Sequence, residues 1–190
     1  MRRMIFVLTG VMILSGLVLA ATFSGVTDRI EANRIAALNA SLAAILPGHD
    51  LTFEVLDAEG PTIYRASEAG EVLGYAVRAQ ARGYGGTITM LVGISRDLDE
   101  ILGLEIVEQI ETPGLGGRIR EQAFRAQFAG LEPDEPLSYV RNVQPNPEEN
   151  EIQAITGATM TSRAVVVGIN AALDQALQTI VRTDREWQAL

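Results

Sequence analysis

A 24-residue run without a charged side chain, Met4 to Thr27, most restricts what this chain can fold into. An α-helix rises about 1.5 Å per residue, so the run would span roughly 36 Å, enough to cross a bilayer. Arg2 and Arg3 precede the run, and by the positive-inside rule they place the N-terminus in the cytoplasm. We therefore expect residues 1–27 to form a cytoplasmic tip and a single transmembrane anchor in the lipid bilayer, with the remaining chain outside the cytoplasm.

A cleaved signal peptide is the alternative interpretation of the same run. The stretch Val18-Leu19-Ala20 would serve as a cleavage site, which would leave a mature chain that begins at Ala21. The apolar region of a signal peptide usually covers about 7–15 residues, however, and this run is longer. The length favours a retained anchor.

Composition excludes several classes of function. The formal net charge is −9, and −11 without Arg2 and Arg3, so the domain is a poor candidate for binding nucleic acid. The chain has no cysteine and one histidine, His49, which follows an apparent helix end; we predict neither disulfides nor a metal site. All 15 basic residues are arginines, which excludes a phosphate loop of the Gly-Lys-Ser/Thr type and a Schiff-base lysine.

Residue periodicity divides the rest of the chain into a stalk and one domain. Apolar residues at helical spacing predict a membrane-proximal helix from Asp28 to Leu46, within a segment 28–50. Segments rich in Val, Ile, Thr and Tyr then predict strands with antiparallel neighbours. We predict an α+β fold in which residues 51–190 form one domain with an antiparallel sheet and flanking helices. The predicted strands are 51–57, 62–66, 71–81, 86–95, 100–109, 137–144 and 151–155, and the predicted helices are 118–128 and 161–181.

The sequence TGATMTS, residues 156–162, places four hydroxyl side chains beside the start of the last predicted helix. A helix N-terminus offers free backbone N–H groups and a positive dipole end, which together attract phosphate. The small residues Gly157 and Ala158 would let a ligand approach the backbone. The alternative is that Thr159 or Thr161 is only the capping residue of the helix.

Two glycine-rich segments accompany the hydroxyl cluster. In QIETPGLGGRI, residues 109–119, Thr112-Pro113-Gly114 has strong turn chemistry and is followed by a bare backbone at Gly116. In RGYGGTI, residues 82–88, Tyr84 stands among glycines and could stack on a planar ring. Taken separately, each is also typical of an ordinary turn or hairpin.

In this order, GYGG, ETPGLG and TGATMTS resemble the covalent-FMN-binding domain family, over about residues 70–180. Members of that family include the G subunit of Rnf electron-transport complexes and the C subunit of the sodium-pumping NADH:quinone reductase. The single anchor and the short chain are most similar to the Rnf G subunit. Gln153 stands where the family often has an aspartate, and Gln109 and Ile110 stand where a histidine is frequent.

The resemblance implies that FMN is esterified through its phosphate to Thr161, the last Thr of the pattern. It implies that further residues bind the cofactor, and that the modified chain is a phosphoprotein matured by a flavin transferase. No residue is expected to be catalytic by itself, since no acid–base pair for hydrolysis is evident. The implied cofactor-binding residues around Thr161 are Thr156, Gly157, Ala158, Thr159, Ser162, Glu111, Thr112, Gly114, Leu115, Gly116 and Tyr84.

The function implied is that of an electron-carrying subunit in a translocase. Such a subunit relays electrons within an Rnf-type ion-translocating ferredoxin–NAD oxidoreductase, together with the other subunits of the complex. Its place would be the bacterial cytoplasmic membrane, with the FMN domain on the periplasmic side. Three alternatives remain: a membrane-anchored regulatory or assembly module, an unflavinylated interaction domain, and the C subunit of a sodium-pumping NADH:quinone reductase.

Overall fold

The structure is a computed structural model that describes residues 2–56 and 60–188. Its α-helices and β-strands are, in chain order, α1 (Arg2–Ile45), β1 (Thr52–Leu56), β2 (Ile63–Glu68), β3 (Glu71–Arg82), β4 (Thr87–Ser95), β5 (Ile101–Glu108), α2 (Gln122–Arg125), β6 (Ser138–Val140), β7 (Glu151–Gln153) and α3 (Thr159–Gln188). Short 3-10 helices cover Gly116–Arg120, Ala126–Phe128 and Pro147–Glu149.

The chain divides into two compact units, Met1–Ala40 and Ser41–Leu190. The first unit is helical, and none of its segment Arg2–Ala20 is buried. Among the described residues, two helical segments are long and apolar enough to cross a membrane: Arg2–Ala20 and Thr159–Thr183. The second segment is 44% buried within the second unit, as expected for a helix that packs on a core.

The second unit contains a five-stranded antiparallel sheet in the order β1-β2-β3-β4-β5. Each strand follows its neighbour through a short connection, so consecutive segments pair, as the short spacings predicted. Strands β6 and β7 form a separate parallel pair. The predicted α+β fold with an antiparallel sheet and flanking helices is thereby confirmed.

Helix α3 covers one face of this sheet and closes the main core. Strand alternation turns Met90 and Val92 of β4 toward the core that also contains Val166 and Ile169 of α3. Gly168 lets the helix approach β3 closely, because a Cβ added there would lie 2.7 Å from Cβ of Ala81. The N-terminal end of α3 is therefore held near the end of β3.

The opposite face of the sheet receives the C-terminal end of α1, within the second unit. Leu42 and Ile45 of this end are buried, as is Leu46 directly after it. Ile45 lies over paired glycines of β4 and β5: a Cβ added to Gly93 would lie 2.5 Å from the carbonyl oxygen of Ile45, and one added to Gly103 would lie 3.6 Å from its side chain. The sheet thus lacks side chains at the point where the helix ends.

The bounds of several predicted elements differ from the structure. The predicted helix 118–128 is broken, because Glu121 adopts an extended conformation (φ −66°, ψ 140°) that separates a 3-10 helix from α2. Helix α3 covers Thr159–Gln188, so it begins two residues before and ends seven residues after the predicted helix 161–181. The predicted strands 137–144 and 151–155 are only the three-residue β6 and β7. The last residue of the predicted strand 51–57 lies outside the described residues.

We predict that Gly93→Ala lowers the free energy of unfolding by about 1–3 kcal/mol, a cost typical of overpacking. The new methyl group would displace the Ile45 carbonyl and the end of α1 from the sheet. Thermal unfolding of the full chain purified in detergent would measure the change. Gly103→Ala is the matched control, since its Cβ makes only ordinary van der Waals contact; an equal loss in both variants would contradict the proposed contact.

Candidate functional site

A cleft of about 480 Å³ lies where three separate segments meet at the start of α3. One segment is the connection between β3 and β4, another follows β5, and the third is the turn that leads into α3. A volume of this size is within the range of small-molecule and cofactor sites. The lining residues are Tyr84, Glu111, Thr112, Leu115, Gly116, Gly157, Ala158, Thr159, Met160 and Thr161.

The turn before α3 is shaped by Gly157 and tied together by Ser162. Gly157 has φ +82°, a left-handed conformation that favours glycine. The hydroxyl oxygen of Ser162 accepts a hydrogen bond from the backbone N–H of Ile155 at 3.0 Å and donates one to the carbonyl of Ala158 at 3.2 Å. Ser162 therefore holds the turn against the first helical turn of α3.

Thr161 lies in that first helical turn and is joined to Glu111. Its hydroxyl donates a hydrogen bond to Oε2 of Glu111 at 2.7 Å, across 50 positions of sequence. Both residues are buried, with 2% of Thr161 and 6% of Glu111 exposed. The backbone N–H groups that open α3 face the same region, where a helix N-terminus favours anions.

The segment after β5 forms a tight turn around Thr112. The Thr112 carbonyl accepts hydrogen bonds from the N–H groups of Leu115 at 3.2 Å and Gly117 at 3.0 Å, and Gly114 has φ +77°. This turn brings the backbone of Gly116 against the Thr161–Glu111 pair. A Cβ added to Gly116 would overlap Oε2 of Glu111 and lie 2.7 Å from the Thr161 hydroxyl oxygen.

The connection between β3 and β4 supplies the other side of the cleft. The N–H of Gly83 donates to the carbonyl of Gly86 at 2.8 Å, which closes the turn. The N–H of Gly85 donates to Oε1 of Glu111 at 2.8 Å. Tyr84 is 81% exposed at the rim of the cleft, so its ring is available to a ligand.

The structure brings together nine of the twelve residues predicted to bind a cofactor. The other three do not line the cleft: Ser162 is used inside the turn, Gly114 has open space around its Cα, and Thr156 lines a smaller cleft that also includes Gln153. The sequence interpretation missed Met160, which lines the cleft. It also missed the N–H of Gly85, although the glycine-rich segment GYGG was a signal for close backbone approach.

Gln153, which stands where the resemblance would place an aspartate, has a role in the local fold. Its side-chain amide donates to the Val143 carbonyl at 3.2 Å, and its backbone N–H donates to the side chain of Gln127 at 2.7 Å. Gln127 also donates to the carbonyl of Gln153 at 3.4 Å. These bonds hold β7 just before the turn that carries Thr161.

Residues 83–174 match the family model described as FMN-binding domain, and this region contains every segment of the cleft. The fold and the site therefore define a protein with a flavin mononucleotide-binding domain. The chain is 30% identical over 85% of its length to the G subunit of the proton-translocating ferredoxin:NAD(+) oxidoreductase complex of Clostridium ljungdahlii, and covers 84% of that protein. The chain belongs to the family of G subunits of ion-translocating oxidoreductase complexes.

A further relative is also a G subunit, and a solved structure shares the fold. The chain is 40% identical over 58% of its length to the G subunit of the Na(+)-translocating ferredoxin:NAD(+) oxidoreductase complex of Acetobacterium woodii, and spans 53% of that protein. The crystal structure of the C subunit of the Na(+)-translocating NADH-quinone reductase from Parabacteroides distasonis shares the fold. The TM-score is 0.57 at 22% identity, over 63% of this chain and 62% of that chain.

The residues of the cleft fit FMN. The start of α3 offers N–H donors and a dipole end for a phosphate. Gly116 keeps the space beside Thr161 free of a side chain, and Gly157 exposes the backbone of the turn. Tyr84, Leu115 and Met160 give the rim an apolar character suited to a flavin ring. One cleft therefore contains groups suited to a phosphate and an apolar rim suited to a flavin ring.

We predict that Gly116→Ala lowers the FMN content of the chain purified from its host by at least about tenfold, because its Cβ would force apart Glu111 and Thr161. Flavin absorbance per chain would measure the loss. Gly114→Ala is the control: its Cβ meets no atom within 4 Å, although φ +77° adds strain of about 1–2 kcal/mol. If Gly116→Ala kept its FMN while Gly114→Ala lost it, the cleft would be wrongly assigned.

Proposed function

We propose that this chain carries FMN covalently, through a phosphoester between the flavin phosphate and the Thr161 hydroxyl. The observation that carries the proposal is the position of Thr161. Thr161 lines the cleft at the first turn of α3, where backbone N–H groups stabilise negative charge. Ser162, by contrast, uses its hydroxyl within the turn, and Thr159 lies at the first residue of α3.

The remaining cleft residues would hold the cofactor in place. Thr112, Gly157 and Ala158 would border the phosphate end, and Tyr84, Leu115 and Met160 the ring. Bound FMN accepts and donates electrons, and the protein supplies its position and electrostatic surroundings. Because Tyr84 and Met160 are 81% and 61% exposed, the ring end is the side open to other subunits.

We propose that the chain is the FMN-carrying G subunit of an Rnf-type ferredoxin:NAD(+) oxidoreductase complex, not a catalyst alone. Both named relatives are G subunits of such complexes. The alternative, the C subunit of a Na(+)-translocating NADH-quinone reductase, is supported by a shared fold at 22% identity. The alignment to the Clostridium protein extends over more of both chains, which favours the G subunit.

We also propose that residues 1–27 anchor the chain in the cytoplasmic membrane. The fully exposed, apolar segment Arg2–Ala20 supports an anchor, and the arginines before it support a cytoplasmic N-terminus. In this arrangement residues 28–50 form the membrane-proximal helical segment. Residues 51–190, the FMN domain, then lie on the periplasmic side, where a flavin transferase attaches the cofactor.

Thr161→Ala should abolish covalent FMN, because the proposed ester oxygen is removed. Thr161→Ser should keep it, since the hydroxyl remains, and Thr159→Ala should keep at least part of it. Each variant would be coexpressed with a flavin transferase and inspected under ultraviolet light on a denaturing gel. A fluorescent Thr161→Ala band would overturn the attachment site.

The same variants test the role in the complex. Membranes that contain Thr161→Ala should lose ferredoxin-dependent NAD reduction, while Thr161→Ser membranes should retain it in proportion to their bound flavin. Immunoblots of the neighbouring subunits would show whether the complex is still assembled. Full activity of an assembled Thr161→Ala complex would favour a regulatory or assembly role for this chain.

Protease treatment of spheroplasts should digest a C-terminal label while a cytoplasmic control protein stays intact. The expectation follows from the charge-free run behind Arg2 and Arg3. N-terminal sequencing of the same sample should find the apolar run still attached. Protection of the label together with the control would reverse the topology, and a mature chain beginning at Ala21 would replace the anchor by a signal peptide.

A further inference from the structure

Glu111 is a buried carboxylate held by hydrogen bonds at both oxygens. Oε1 accepts from the N–H of Gly85 at 2.8 Å, and Oε2 accepts from the hydroxyl of Thr161 at 2.7 Å. The backbone N–H of Glu111 donates to the side chain of Gln109, which fixes the main chain at Glu111. The carboxylate therefore has one orientation, with Oε2 directed at the Thr161 hydroxyl.

Glycine residues lie close to both oxygens of the Glu111 carboxylate. A Cβ added to Gly83 would overlap Oε1, and one added to Gly116 would overlap Oε2. A Cβ on Gly85 would lie 2.5 Å from the carbonyl oxygen of Ile110. Two chain segments thus lack side chains at the points where they approach Glu111.

Among the described residues, the burial of Glu111 is compensated by hydrogen bonds and not by a cation. Burial of a carboxylate is unfavourable unless a cation or several hydrogen bonds compensate it. Within residues 2–56 and 60–188, the ion pairs formed by Arg65, Arg118 and Arg125 involve other glutamates, and none involves Glu111. A buried acid without a cation, fixed against a hydroxyl, is better explained by the chemistry of that hydroxyl than by stability.

We propose that Glu111 is the proton acceptor for the attachment of FMN to Thr161. The inference rests on the proposed function, in which Thr161 carries the phosphoester. A threonine hydroxyl is a weak nucleophile until an adjacent base takes its proton, and Glu111 is within hydrogen-bond distance of that proton. The structure thus holds nucleophile and base together before any transferase binds.

The step balances with a flavin phosphoanhydride, such as FAD, as the FMN donor. Thr161 Oγ1 forms a bond to the flavin-side phosphorus, and the phosphoanhydride P–O bond breaks. Adenosine monophosphate leaves with the electron pair of that bond, and the Thr161 proton passes to Glu111 Oε2. No atom is oxidised or reduced. The transferase supplies the donor and its binding site, and this chain supplies the nucleophile and its base.

The test uses the full chain in detergent, a purified flavin transferase and FAD, and it measures the initial rate of covalent flavin formation. Glu111→Gln keeps the shape of the side chain but cannot accept the proton. Its kcat should fall by at least about 100-fold, as for loss of a general base, while KM for the chain stays within about threefold. Glu121→Gln, which alters an exposed glutamate paired with Arg118, is the control and should keep the wild-type rate.

A fall in kcat smaller than about 100-fold in folded Glu111→Gln would overturn the proposal and assign the base to the transferase. If Glu111→Gln lacked the wild-type unfolding transition, the role of Glu111 would be tested instead with Glu111→Ala in the presence of added formate. Formate should then raise the rate at least about tenfold, since it restores a carboxylate beside Thr161; no increase would refute the role.

The outcome also separates this inference from the proposed function. A wild-type chain that gains no covalent flavin, or a Thr161→Ala chain that gains as much, would refute attachment at Thr161. Wild-type labelling, an unlabelled Thr161→Ala chain and an unimpaired Glu111→Gln chain would refute the role of Glu111 alone.

Discussion

The close packing of α3 on β3 is the contact on which the site depends. Gly168 lets the helix backbone approach Ala81 of β3, and an α-helix is stiff, so the seven residues back to Thr161 are placed along with it. That placement brings the first turn of α3 to the end of β3, where the glycine-rich connection to β4 begins. The cleft is therefore a consequence of core packing at one point of the helix.

The cleft combines two electrostatic elements of opposite sign. The start of α3 presents N–H groups and a positive dipole end, whereas Glu111 presents a carboxylate within hydrogen-bond distance of Thr161. A phosphate on Thr161 would gain from the first and be repelled by an ionised form of the second. In the proposed attachment step, transfer of the threonine proton to Glu111 would remove that repulsion, because the glutamate would be neutral as the phosphoester formed.

Local chemistry explains why much of the fold was predictable from sequence. Segments rich in Val, Ile, Thr and Tyr marked the five strands of the sheet, and the threonine-rich turn marked the start of α3 to within two residues. The interruption at Glu121 was not visible, because a single extended residue between two helical turns leaves the apolar spacing intact.

The three motifs of the candidate site were predictable from the sequence, but the contacts among their side chains were not. Hydroxyl groups in TGATMTS look alike in sequence, and only the fold shows that Ser162 binds the turn while Thr161 reaches Glu111. The partner of Thr161 lies 50 positions away, and no local pattern encodes that distance. The packing of Ile45 on Gly93 and Gly103 was also not predictable from the sequence, because it depends on where α1 ends.

The glycines that approach the Glu111 carboxylate determine which segments must be moved together if such a site is transplanted. A side chain at Gly83 or Gly116 would meet the Glu111 carboxylate first, and that carboxylate in turn is hydrogen-bonded by Gly85 and Thr161. A change at one of these positions alters what is permitted at the others, so the segments 82–88, 109–117 and 156–162 form one structurally coupled unit. Grafting the threonine turn by itself onto the end of another helix would move the hydroxyl and leave its carboxylate behind.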